Sequence, residues 1–245
     1  MAATRSVLVE PLRLEGWLTR FEQRNGAYTV RIHLVEPGPG VTRRGSGTAA
    51  GTVHEDPLEL IGSVDIMAAN GCSAALVLPL PLASSTKESG GTLDDVVRRL
   101  LALHDETLIG LVLIRRGGYS VGVARAGDVI ASKTGTRYVQ GRTAAGGWSQ
   151  QRFARRRANQ ADGLVKETAA RAAVLFAAHP PSCIQLGGDK ALATDTLGEA
   201  TLGAAAHLPQ TPFLPVTDPR LRVLQDAARS ALSVRVTVTD PPDSV

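Results

Sequence analysis

"TLIGLVLIRRGGYSVGVARAGDVIASK", residues 107–133, carries the clearest architectural signal in the chain. Residues 107–114 form a continuous apolar run, and Arg115-Arg116-Gly117-Gly118 turns the chain into an alternating run at 119–125. Ala126-Gly127-Asp128 turns it again into 129–133. Two tight glycine-containing turns between short β-branched runs predict a three-stranded antiparallel meander. A fourth strand is expected at 137–140.

Downstream, Ser149 is expected to cap a long helix reaching about Ala178. Ala154, Ala158, Ala161, Val165, Ala169, Ala172, Leu175 and Phe176 make its apolar stripe at mostly three- and four-residue steps. Pro180 and Pro181 stop it. Residues 183–186 read as a buried strand closed by Gly187-Gly188, and Asp189 opens a short helix. Asp218-Pro219 is the start signal for a last helix running to about Leu232, with a final strand at 234–238.

Upstream, residues 11–25 carry Leu14, Trp17, Leu18 and Phe21 at helical spacing, with Trp17 and Phe21 expected as core anchors. Residues 28–35 alternate like a strand on which His33 faces outward. Residues 37–52 are rich in Gly, Pro, Ser and Thr without apolar periodicity and read as a flexible insertion. Residues 75–82 are a short apolar run followed by a second polar loop. Thr92, with Asp95 three positions on, caps a short helix. The sum is an α/β (α+β) mixed sheet with helices packed on it, in a single domain over 1–245 without an internal repeat.

Charge is unevenly placed. The formal net charge is +4, from 27 basic and 23 acidic residues. Between Asp128 and Asp162 lie Lys133, Arg137, Arg142, Arg152, Arg155, Arg156 and Arg157, with no acid among them. Removing those seven leaves 20 basic against 23 acidic residues, so the rest of the chain is net negative. A block so polarised favours a polyanionic partner. No apolar run approaches the ~20 residues of a membrane span. The N-terminus lacks a signal-peptide core, so a cytoplasmic setting is expected. Cys72 and Cys183, far apart, indicate neither a disulfide framework nor a zinc site.

Standard catalytic chemistries find no residues to carry them. His54, His104, His179 and His207 are scattered, and no HExxH, CxxC, Walker or GxSxG pattern occurs. No metal or cofactor is expected. Gly187-Gly188-Asp189 before a helix could hold a phosphate, although a plain strand-to-helix turn explains it better.

What remains is "GRTAAGGWSQQRFARRRANQA", residues 141–161. Gly146 and Gly147 can take backbone angles closed to other residues and admit a substrate close to the main chain. Glutamine cannot titrate near neutral pH, but its amide can orient water, and a backbone N–H can donate to a developing oxyanion. Such a loop supplies positioning and electrostatics. It suits an activated ester carried on a polyanion, of which peptidyl-tRNA is an example. Arg142, Arg152, Arg155, Arg156 and Arg157 would hold phosphates. Trp148 would stack on a terminal base or pack as a loop anchor, stacking being worth about 1–3 kcal/mol.

Residues 115–161, "RRGGYSVGVARAGDVIASKTGTRYVQGRTAAGGWSQQRFARRRANQA", resemble the actinobacterial release-factor-like peptidyl-tRNA hydrolases. These are similar to the eukaryotic ribosome-quality-control tRNA hydrolase and, more remotely, to the catalytic domain of the eukaryotic and archaeal termination factor. "LEGWLTRFEQRNG" at 14–26, "IQLGGDK" at 184–190 and "VTDPRLRVLQDA" at 216–227 fit the same family, so the resemblance covers most of the chain. It implies an RNase H-like sheet without metal-binding carboxylates. It also implies peptidyl-tRNA ester hydrolysis on stalled or split ribosomal complexes, with the large ribosomal subunit, its RNA and peptidyl-tRNA as partners. The termination factors place their glutamine directly after two glycines, whereas Trp148 and Ser149 intervene here. Gln150 is the first candidate and Gln151 its competitor. Two alternatives stand beside this reading: a tRNA acceptor-end endonuclease, and a non-catalytic ribosome-binding factor.

Overall fold

The structure, a computed structural model, describes residues 3–35, 60–83, 92–136 and 148–241, with residues 148–157 described in backbone only. The insertion expected at 37–52 and the strand expected at 137–140 lie outside the described residues. The chain divides into two compact units, Met1–Ala102 with Leu232–Val245, and Leu103–Ala231. No linker marks the division, because it falls inside a helix and again just before the last strand.

In the first unit the described strands are β1 (Thr4–Val9), β2 (Tyr28–Val35), β3 (Leu60–Ala68), β4 (Ser73–Ala83) and the chain-terminal β9 (Val234–Thr239). They form an antiparallel sheet in the order β1-β9-β4-β3-β2. Alternation decides its faces. Val64 and Ile66 of β3 and Val234, Val236 and Val238 of β9 are buried, while Asp65, Met67 and Arg235 between them are exposed. Helix α1 (Pro11–Asn25) has proline in its first turn and buries Pro11, Leu14, Leu18 and Phe21. Phe21 is a core anchor as expected. Trp17 is not, since it stays partly exposed and stacks on Phe21 at 5.3 Å between ring centroids.

Helix α2 (Leu93–Glu106) begins with the expected capping box. The Asp95 N–H donates to the Thr92 hydroxyl at 3.2 Å, and the Thr92 N–H donates back to the Asp95 carboxylate at 3.2 Å. Those bonds, the larger cause being the backbone one, hold the Asp95 carboxyl below its ordinary range.

The second unit contains the meander. Strands β5 (Ile109–Arg115), β6 (Gly118–Arg125) and β7 (Asp128–Thr136) pair antiparallel as expected, and β8 (Cys183–Gly188) adds to β5 in parallel, giving the order β7-β6-β5-β8. Both faces of this sheet are covered, which is why β5 reads as an unbroken apolar run rather than an alternating one. Helix α3 (Trp148–Ala178) and helix α4 (Lys190–Leu197) pack against the face carrying Val112, Ile114, Tyr119, Val121, Val123, Ile184 and Leu186. Helix α5 (Leu221–Ser230) covers the other, with Leu224 against Gly122. The Cys183 thiol is 1% exposed, and desolvation pushes its pKa up to about 12, so it is a neutral packing group.

Three sequence expectations change in position. The final strand, expected in the same sheet as the meander, pairs instead with β1 and β4 in the first unit. Helix α5 starts at Leu221 rather than at Pro219. The Asp218 carboxylate is engaged by the Arg220 guanidinium at 2.5 Å and makes no cap bond, so Asp218-Pro219 builds a turn ahead of the helix. On α3, Val165, Ala169, Ala172 and Phe176 are buried as expected, joined by Leu164 and Thr168, whereas Ala161 and Leu175 are only partly buried and Ala158 is exposed.

Gly187-Gly188-Asp189 is the turn, not a phosphate cradle. The Asp189 carboxylate accepts from Ala191 N–H at 3.1 Å and Leu192 N–H at 3.3 Å, so it occupies the anion position at its own helix N-terminus. Gly188 sits at φ 98°, and a Cβ there would lie 2.1 Å from the Ile114 carbonyl oxygen. That combines a left-handed backbone with a collision against main chain, each able to cost about 1–3 kcal/mol. Gly188→Ala is therefore expected to lower stability by about 3 kcal/mol, measured as the shift of the urea midpoint at constant slope.

Candidate functional site

Those candidate residues that the structure describes follow β7 in the chain, on α3. Arg142, Gly146 and Gly147 lie outside the described residues. Trp148, Gln150, Gln151, Arg152, Arg155, Arg156 and Arg157 fall on the first three turns of α3. The expected cap is corrected here: the helix starts at Trp148, so Ser149 is inside it and both glutamines stand on its N-terminal turn rather than in the preceding loop. Helix geometry leaves the N–H groups of the first turn, Trp148, Ser149 and Gln150, without an intrahelical carbonyl. The helix dipole adds a partial positive charge at the same end.

Pairing register fixes how the described part of α3 runs relative to the sheet. Tyr119 pairs with Gly135 near the end of β7, and its hydroxyl donates to the Glu167 carboxylate at 3.1 Å. Gly135 makes that possible, because a Cβ there would meet the Tyr119 ring at 2.5 Å. Burial raises the Tyr119 pKa most, the Glu167 hydrogen bond and charge add to it, and Arg171 opposes, so the phenol remains a donor. Farther along α3 the Phe176 ring lies over Gly110, which pairs through Val123 with Ala131 in the first half of β7. Helix α3 thus runs antiparallel to β7.

Among the described side chains of α3 the first fully buried one is Leu164, and those at 158–163 are exposed or half-buried, Ala161 being packed against the same core. Arg152, Arg155, Arg156 and Arg157 lie on the turns of α3 that precede these residues, and Asp162 is the first acid along the helix. No sequence signal announced the Tyr119–Glu167 contact that ties α3 to the sheet, because it joins residues 48 positions apart. Among the described residues, no three or more His, Cys, Asp or Glu side chains converge as a metal site would require, and no helix is long and apolar enough to cross a membrane.

Comparison with known proteins narrows the family. No curated protein matches the sequence. Among solved structures, the crystal structure of an archaeal translation termination factor, aRF1, is 12% identical at a TM-score of 0.38, covering 67% of this chain and 48% of that one. A second, described only as an archaeal protein, is 13% identical at a TM-score of 0.26, covering 70% of this chain and 47% of that one. The chain thus spans about half the length of these structures, and both likenesses are too loose to argue from. The family described as the Actinobacteria/chloroflexi VLRF1 release factor matches residues 107–237, from the strand β5 region through most of β9. That match spans more than half of the 245 residues, and the chain belongs to the Actinobacteria/chloroflexi VLRF1 release factor family.

Proposed function

We propose that the protein hydrolyses the ester of peptidyl-tRNA on stalled or split ribosomal complexes, in translation termination or ribosome rescue. The observation that carries this reading is the position of Gln150 on the first turn of α3, whose next two turns hold four arginines and no acid. As water adds to the ester carbonyl, the carbonyl oxygen gains negative charge; the acyl C–O bond to the tRNA ribose then breaks, and the proton lost by the water ends on the departing hydroxyl. An amide side chain can align the water, and first-turn N–H groups are aimed where negative charge develops. Gln150 takes the water-orienting role, and Gln151 is the competitor. Gly146 and Gly147 leave room for the substrate.

Arg142, Arg152, Arg155, Arg156 and Arg157 neutralise phosphates of tRNA or of the large subunit's ribosomal RNA, and Trp148 stacks on a base or anchors the turn. Arginine suits this, since its planar fork binds phosphate in two-point geometry. The strand order β7-β6-β5-β8, three antiparallel strands followed by one parallel, supports an RNase H-like sheet as the scaffold. Nothing in this scheme calls for a metal or cofactor.

The test is peptide release from large ribosomal subunits carrying peptidyl-tRNA, with the 3′ end of the freed tRNA sequenced. Released peptide with an intact CCA end supports the esterase. A trimmed end means endonucleolytic cleavage instead, and tight binding with no release means a ribosome-binding factor without this activity.

A further inference from the structure

A second cationic surface lies in the first unit. On α1, Trp17, Arg20 and Arg24 project within about 60° of one another, given about 100° per residue. Glu15 and Glu22 fall on the opposite side of the helix. The charges of α1 are thereby sorted across its buried stripe: the Glu22 carboxylate raises the Tyr28 phenol on its own flank, behind the larger effect of burial, while the other flank stays free of acid. Against the arginine flank stands the edge strand β1, which contributes Arg5.

Arg5, Trp17, Arg20, Arg24 and Asn25 line a cavity of about 180 Å³. Arg5 is paired with Asp240 at 3.1 Å, whereas Arg20 and Arg24 make no ion pair among the described residues and both are exposed. The indole is partly exposed beside them. Two unpaired guanidinium groups one helical turn apart repel each other, a cost that a bound anion reverses. A cavity of that size has room for a phosphate and bridging waters, a water's share of liquid volume being about 30 Å³. The larger concavity of this unit, about 480 Å³, holds Arg31 together with Asp65 and so has no preference for one sign of charge.

We propose that the α1–β1 groove is a second RNA contact, in which Arg20 and Arg24 bind backbone phosphates of ribosomal RNA beside the Trp17 indole. It takes its partner from the esterase reading above but uses none of the α3 residues. Such a contact reads no base sequence. It adds affinity and fixes how the first unit sits on RNA.

The test measures binding of the full-length protein to purified large ribosomal subunits over a range of salt. R20E/R24E should weaken binding about tenfold or more and flatten the slope of log affinity against log salt by about 2, at about 0.9 per phosphate. R20Q/R24Q should fall between it and the wild type, and Glu15→Gln should match the wild type. A photo-crosslinker at position 17 should capture nuclease-sensitive RNA. Unchanged affinity and slope, capture of ribosomal protein alone, or no binding of the wild type to subunits each overturns the proposal. Wild-type protein that binds but releases no peptide sinks the esterase reading and leaves this comparison intact.

Discussion

Replacing Gln150 by alanine should lower the single-turnover rate of peptide release by roughly two to three orders of magnitude, the size of effect seen when one oxyanion donor is lost from an acyl-transfer site. Binding should be unchanged, because a neutral amide at the tip contributes nothing to phosphate neutralisation. The reason lies in what is available at that turn. No group there can titrate near neutral pH, so the rate enhancement must come from orientation of water and from dipoles already in place. Removing the amide side chain leaves the helix N-terminus and its N–H groups, which is why a residual rate is expected. Gln151→Ala is the internal comparison. If it loses the rate while Gln150→Ala keeps it, the working glutamine is Gln151. If both variants release at the wild-type rate with subunits saturating, a neutral amide is not the source of the activity.

The second large effect concerns affinity. Changing Arg152, Arg155, Arg156 and Arg157 together to glutamine should reduce the slope of log affinity against log salt for large ribosomal subunits by about 3–4, at about 0.9 per phosphate neutralised. Between 50 and 200 mM salt that difference compounds to roughly two orders of magnitude in affinity. The four-lysine variant should keep most of the slope, since charge drives counterion release, while losing the part that depends on the planar guanidinium. A slope equal to the wild type's would place the phosphate contacts elsewhere on the protein.

Local features were the readable ones. The three strands at 107–133 came out as drawn because turn glycines and β-branched runs act within a few residues of themselves. The Thr92–Asp95 capping box and the Asp189 cap were readable for the same cause. Asp218 misled because the same pairing of acid and proline that opens helices also opens turns, and Arg220 took up its carboxylate. Trp17 misled because helical spacing shows that a residue shares the apolar side, not how deep in it the residue sits. It lies at the margin of the buried stripe, next to two arginines. At the candidate site, the sequence showed which residues carry charge and which carry amides. It misplaced the start of α3, and with it the glutamines, because Ser149 is as acceptable inside a first turn as at its cap.

By itself the sequence determined the meander, the periodic helices and the separation of charge, since all three rest on residues within a few turns of each other. Only the tertiary structure decided that β9 returns to the first unit's sheet, that β8 joins β5 in parallel, and that Tyr119 and Glu167 tie α3 to the second unit's sheet. Those pairings join residues from 48 to more than 200 positions apart, as in Thr4 with Thr239. Apolar alternation says that a strand has a buried face. It does not say which distant strand completes the ladder, because many partners satisfy the same backbone hydrogen bonds, and only the packing of the whole core selects one.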